Sequence, residues 1–179
     1  MFSGWYTDHE PGSTIVAELD GRVVGYLLGC LDTAHGPHID RVIAGHLLGG
    51  RHLLVRPGTA RFCWRSGADL VGAVLRRDLP PTSVVDDRWP AHLHINLLPV
   101  ARGRGTGAAL MRTWLDRLEA DGIAGCHLET VQENHRAIAF FEAMGFRRHG
   151  ANHAIPGMRS PHGEHHHTQL MVQELPRTE

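Results

Sequence analysis

The sequence predicts a mixed α/β fold of the α+β kind, and two patterns carry that expectation. Residues 13–31 read as a β-hairpin, which does not begin a parallel sheet. Residues 91–179 then alternate between strand and helix periods, in the order β-loop-α-β-α-β-loop-β. The chain has 179 residues, with no internal repeat and no linker-like stretch. One domain is therefore expected over 1–179, carrying a helical insertion at about 37–79.

The hairpin is "STIVAELDGRVVGYLLGCL", Ser13 to Leu31. Two β-branched apolar runs flank Asp20-Gly21, a pair that takes the positive φ angles of a type I′ turn. Next, Ile39, Val42, Ile43 and Leu47 fall at helical spacing before Gly49-Gly50. A second helix is expected around Leu70, Val71, Val74 and Leu75, stopping before Pro80-Pro81. "RHLLVR" is a short strand between the two. "AHLHINLLP", Ala91 to Pro99, alternates with the period of a strand. Beyond a glycine loop, Leu110, Met111, Trp114, Leu115 and Leu118 line one helix face, which Asp121-Gly122 ends. "AGCHLETV" is the next strand. Asn134 opens a helix with Ile138, Phe141 and Met144 on one side, closed by Gly145. "GFRRHG" and "HTQLMVQEL" start the last strands, and residues 150–166 between them read as a Gly/Pro/His-rich loop.

Composition narrows the function. The formal net charge is −1, so no bulk field draws the chain to nucleic acid, and no apolar run approaches a membrane span. Every basic residue is arginine, which excludes a Walker-A loop and its phosphate-binding lysine. Cys30, Cys63 and Cys126 are odd in number and form no CxxC pair, as in a reducing compartment. The N-terminus shows no basic region followed by an apolar core, so a cytoplasmic location is expected.

The informative stretch is "LPVARGRGTGAALM", Leu98 to Met111. A strand running through glycines into a helix aims backbone N–H groups and the positive end of a helix dipole at one spot, an anion site. A dinucleotide site fits poorly. Gly103, Gly105 and Gly107 are spaced GxGxG, not GxGxxG, and they lie past the midpoint, although Glu129 stands about where a ribose-binding acid would. A plain turn needs fewer glycines and no pair of arginines.

Arg102-x-x-Gly105-x-Gly107 resembles the signature loop of the GNAT acetyltransferases, R/Q-x-x-G-x-G/A. "NHRAIAFFEAMGF", Asn134 to Phe146, resembles that family's second signature, and "VAELDGRVVGYLLG" looks like its upstream hairpin. More narrowly, "WPAHLHINLLPVARGRGTG" is similar to the GNAT-like domains of O-GlcNAcase-type proteins. The resemblance implies a mostly antiparallel sheet with a splayed parallel pair, flanked by helices. It also implies acetyl-CoA as co-substrate and transfer of acetyl to a primary amine, on a small molecule or peptide, by direct attack in a ternary complex. Carried over by position, backbone at Ile95 and Leu97 would pair with the pantetheine arm. Amides of Arg102, Gly103, Arg104, Gly105, Thr106, Gly107 and Ala108 would cradle the pyrophosphate. Asn134 would reach the cofactor, or serve as a plain helix N-cap.

Such chemistry needs a base for the amine. His92 and His94 share a strand face with Asn96 beside them; His94 lies nearer the thioester end, and an ordinary pKa of about 6.5 suits it. Glu129 on the neighbouring strand is the carboxylate alternative. Two departures from the family stand out. Phe141 occupies the position of a tyrosine credited with protonating the thiolate, and about 12 residues precede Ser13 where the family has a strand and two helices. The insertion would then supply a wall of the acceptor pocket. These departures also motivate an alternative, a non-catalytic acyl-CoA-binding or protein-interaction module. His162, His165, His166 and His167 with Glu164 lack a completed ligand spacing, so they read as a solvated loop and no metal is expected. An exposed sheet edge makes a homodimer the expected assembly.

Overall fold

The structure, a computed structural model, describes residues 6, 8, 10–36, 57–76 and 84–176. Strands β1 (Thr14–Leu19) and β2 (Arg22–Cys30) form the hairpin, with Asp20 at φ 50° and Gly21 at φ 72° in its turn. There follow α1 (Pro57–Arg76), β3 (Ala91–Leu97), α2 (Thr106–Ala120), β4 (Gly125–Val131) and α3 (His135–Ala143). The chain closes with β5 (Arg147–His149), β6 (Ala154–Arg159) and β7 (His165–Glu174). The sheet order is β1-β2-β3-β4-β7-β5, with β6 also on β7. Among the described residues, every strand pair is antiparallel except β3 with β4. The expected fold class, including its one parallel pair, is what forms.

The core lies on one sheet face. Alternation points Leu27, Ala91, Leu93, Cys126, Leu128 and Met171 to that side, where they meet Leu110, Met111, Trp114 and Leu118 of α2 and Ile138 and Phe141 of α3. Burying each large side chain contributes roughly 1.5–3 kcal/mol. Gly29 lets the Trp114 indole lie against β2, since a Cβ there would stand 2.2 Å from Trp114 Cη2.

Two local expectations are corrected. Residues 150–166 are not one loop: Ala154–Arg159 form β6 and turn back into β7. Pro156 and Gly157 disguise that strand, and its pairing is irregular between Ala154 and Arg159. The second helix begins at Pro57, and the residues that signalled it, Leu70, Val71, Val74 and Leu75, are exposed. α1 docks instead through a polar edge. Asp69 accepts the Gly157 N–H at 2.8 Å and pairs with Arg159, while Ser66 Oγ donates to the Pro156 carbonyl. The helix expected around Ile39–Leu47, the "RHLLVR" strand and the Pro80-Pro81 stop lie outside the described residues. Among the described residues, no helix is long and apolar enough to cross a membrane.

Candidate active site

The parallel pair parts almost as soon as it forms. β3 and β4 are in register at Ala91 with Cys126 and His92 with His127; beyond that row β3 stays with β2 and β4 with β7. The Leu98 N–H donates to the Val24 carbonyl at 2.8 Å. Antiparallel alternation therefore turns the backbone of His94 and Asn96 toward β2, and that of Ile95 and Leu97 into the gap. The gap opens on a cavity of about 530 Å³. Ile95, Asn96 and Leu97 line it from β3, and Arg102, Gly103 and Gly105 from the loop. Gly107 and Ala108 of α2 and Asn134 before α3 complete the predicted set there. Arg104 and Thr106 belong to the same turn without lining the cavity.

Glycine is required at this turn. Gly103 and Gly105 hold φ of 73° and 79°, the left-handed region, and Gly105 is the N-cap of α2. It has no side chain to cap the helix. The first intrahelical bond runs from Ala109 N–H to the Gly105 carbonyl, so the amides of Thr106, Gly107 and Ala108 precede any helical acceptor. With the dipole behind them they favour an anion. A Cβ on Gly107 would stand 3.1 Å from Leu97 Cδ1 and 3.3 Å from Phe140 Cζ, so a larger residue would have to push those side chains back by a few tenths of an ångström. Arg102 folds back, its Nε and Nη2 donating to the Leu97 carbonyl at 3.3 and 3.2 Å. Asn134 caps α3 by accepting the Ala137 N–H at 3.1 Å and also lines the cavity.

The opposite sheet face carries the titratable groups. Thr33 Oγ1 donates to the Pro90 carbonyl at 2.7 Å and must therefore accept from His92 Nδ1 at 2.8 Å. His92 Nε2 is then the acceptor for the Tyr6 hydroxyl, also at 2.8 Å. Both ring nitrogens are thus engaged, and His92 is a neutral structural imidazole. Burial, then the neighbouring His94 and His127, pushes its pKa from the ordinary 6.5 to about 3. His127 donates from Nδ1 to the Trp89 carbonyl at 2.8 Å. His94 reaches solvent, with the Tyr6 ring edge-on at 5.7 Å. Protein around the ring, then His127, lowers its pKa, so it stays an unprotonated acceptor at neutral pH. Extending the Ala91–Cys126 register puts Glu129 level with His94 on the same face, with its pKa raised by burial. Asn96 Nδ2 donates to the Tyr26 hydroxyl at 3.3 Å. The histidine-rich segment disperses. His165 accepts from Arg159, and His166 and His167 bond Glu133. Among the described residues, no three His, Cys, Asp or Glu are placed to hold a metal ion.

A splayed parallel pair above an uncapped, glycine-opened helix is a distinctive arrangement, and comparison with known proteins gives it a family. The sequence model of the acetyltransferase (GNAT) family matches residues 50–146. This chain belongs to the GNAT acetyltransferase family. The L-2,4-diaminobutyric acid acetyltransferase of Nocardia farcinica is 29% identical over 144 residues, covering 80% of this chain and 48% of that protein. The chain thus spans about half the length of that curated relative. The crystal structure of SsHAT superposes with a TM-score of 0.56 at 27% identity, covering 97% of this chain and 77% of that one. A phosphinothricin acetyltransferase from Sinorhizobium meliloti, solved with AcCoA, shares the fold at a TM-score of 0.54 and 21% identity, covering 99% and 71% of the two chains. The narrower likeness to O-GlcNAcase-type domains rests on the Trp89–Gly107 stretch alone.

GNAT acetyltransferases use acetyl-CoA, and the residues present fit such a group. The cavity is large enough for an extended ligand arm, and three amides without helical acceptors stand at its rim. Arg136, Ala137, Phe140 and Phe141 also line the cavity, and of these four the sequence patterns single out Phe141 alone. A signal for two of the others was present: Ala137 and Phe140 follow Asn134 at steps of three, on one helical face. Tyr6 and Thr33 had no such signal, because their partner His92 is distant in the chain.

Proposed function

We propose that this chain is an acetyl-CoA-dependent N-acetyltransferase that moves acetyl to a primary amine by direct attack in a ternary complex. The observation that carries the reading is the parting of β3 and β4 past His92 and His127, above the uncapped start of α2. Acetyl-CoA, when bound, supplies the activated acyl group. The amides of Thr106, Gly107 and Ala108, with Gly103 and Gly105 keeping the approach open, hold its phosphates. Ile95 and Leu97 offer backbone groups along the gap, and an N–H there polarises the reacting carbonyl. His94, neutral and exposed, takes the amine proton; Glu129 at the same level is the second base.

Direct attack is supported by the cysteines. Burial pushes the thiols of Cys30 and Cys126 up to about 12, so neither is a ready nucleophile at neutral pH. Phe141 is packed in the core at the cavity wall and has no proton to give, so we assign protonation of the departing sulfur to solvent in the cavity. We infer a small-molecule or peptide amine as acceptor, in line with the diaminobutyric acid acetyltransferase relative. The reading also takes in one domain, with α1 walling the acceptor side, and a cytoplasmic homodimer joined through β1.

The test is calorimetric titration with acetyl-CoA on the wild type and on Gly105→Trp. Gly105 lines the cavity and holds a positive φ, so tryptophan there adds bulk at the cavity mouth and also strains the turn that presents the amides. Binding by the wild type that the variant loses supports the reading; no binding by the wild type sinks it. With binding in hand, His94→Gln separates enzyme from binding module. Turnover of an amine panel that falls at least about tenfold, with acetyl-CoA affinity kept, assigns the base.

A further inference from the structure

A second cavity, of about 440 Å³, lies between α1 and the β6–β7 turn. Arg61 and Arg65 line it from successive turns of α1, Arg159 from the end of β6, and Ser160 and Phe62 stand beside them. Arg159 is anchored: it pairs with Asp69 and donates to His165 Nδ1 at 2.7 Å and to the Met158 carbonyl at 3.4 Å. Those contacts engage at most three of its five N–H groups. Asp69 balances that one guanidinium, and the hydrogen bond from Arg159 holds its carboxyl below the ordinary range.

Arg61 and Arg65 have no such balance. Among the described residues, neither forms an ion pair. They stand at i and i+4, where like charges repel and work against the helix. Stability does not account for placing them together at the cavity wall. Ser160 adds a donor, because its Oγ accepts the amides of His162 and Glu164 at 3.2 and 3.3 Å and keeps its own proton to give.

We propose that this cavity is an oxyanion site, taking a carboxylate or phosphate on Arg61, Arg65 and Arg159 with Ser160 as a further donor. Planar guanidinium groups match both anions through paired N–H bonds, and a pocket of this size suits a small anionic group. The site is separate from the acetyl-transfer cleft. β7 runs past the end of β4, where Thr168 pairs with Val131, on the side where β3 and β4 part. Leu170 stands opposite Glu129, and His165 is five residues further on, roughly 17 Å at about 3.4 Å per residue. Two sources fit: a free anion, or the acidic far end of an extended amine acceptor.

Inorganic phosphate is titrated calorimetrically into the wild type and R61Q/R65Q, with acetyl-CoA affinity and melting temperature followed in parallel. Both are expected to hold in the variant, whose changes leave the Arg159–Asp69 anchor intact. Phosphate affinity is expected to fall at least about tenfold, as for lost charge-assisted bonds. Absence of phosphate binding by the wild type, or equal binding by the double variant, overturns the proposal. A second arm compares acetylation of two pentapeptide amides, four alanines followed by glutamate or by glutamine. Preference for the glutamate peptide that R61Q/R65Q abolishes identifies an acceptor's acidic end; phosphate binding without it identifies a free anion. The phosphate arm needs no acetyl-CoA, so the two readings can fail separately.

Discussion

Lowering the pH from 7.5 to 5 should cost this protein stability through His92, by an amount the structure lets one calculate. The imidazole is held neutral between Tyr6 and Thr33, and its pKa is about 3 in the fold against 6.5 for the ordinary side chain. The unfolded chain binds the proton more readily, so the full stabilisation is present above pH 6.5 and is lost as pH falls through the window down to about 3. Integrated between pH 7.5 and 5, the loss from this one group is about 2 kcal/mol. For a chain of this length that corresponds to a fall in Tm of roughly 4–8 °C. The assay is urea unfolding at both pH values for the wild type and His92→Asn. The asparagine amide still donates toward Thr33 but does not titrate. The variant starts less stable, so its pH-dependent loss is what counts, and it should be smaller than the wild type's by about 2 kcal/mol. Equal losses would refute the reasoning, as would a His92 ring titrating near its ordinary value by NMR. His94 and His127 also have lowered pKa values, so a residual slope is expected in the variant.

Gly29→Ala should destabilise by about 1–3 kcal/mol, because the added methyl meets the Trp114 ring at 2.2–2.6 Å in a filled core; thermal unfolding reads this, and an unchanged Tm would show that the indole has room to shift. For the assembly, β1 stands at the sheet edge with Val16 exposed, as is Val23 of the neighbouring β2, and light scattering should give twice the 19.8 kDa chain mass. A single-chain mass at micromolar concentration would count against the dimer.

Much of the fold was legible because local rules and tertiary context agree. Asp20-Gly21 takes the turn its residues favour, the α2 stripe from Leu110 to Leu118 is buried as its spacing requires, and Asn134 caps α3. Where they disagree, periodicity misleads. Leu70, Val71, Val74 and Leu75 have helical spacing yet face solvent, because α1 is held by Ser66 and Asp69 instead. Pro156 and Gly157 argue for a loop, but β7 supplies the ladder that makes a strand of them.

By itself the sequence determined the glycine loop, the strand and helices around it and the likeness to an acyltransferase family. Those depend on backbone conformation and periodicity, which neighbouring residues dictate. Only the tertiary structure decided where β3 and β4 part, since that depends on which partner each strand keeps past His92 and His127. It also decided which histidine is locked and which is exposed. His92 and His94 share one strand face by alternation, and the difference comes from Tyr6 and Thr33, which hydrogen-bond His92 across 86 and 59 residues of chain. Hydrogen-bond partners at that separation leave no periodic trace, because only the folded sheet makes them neighbours.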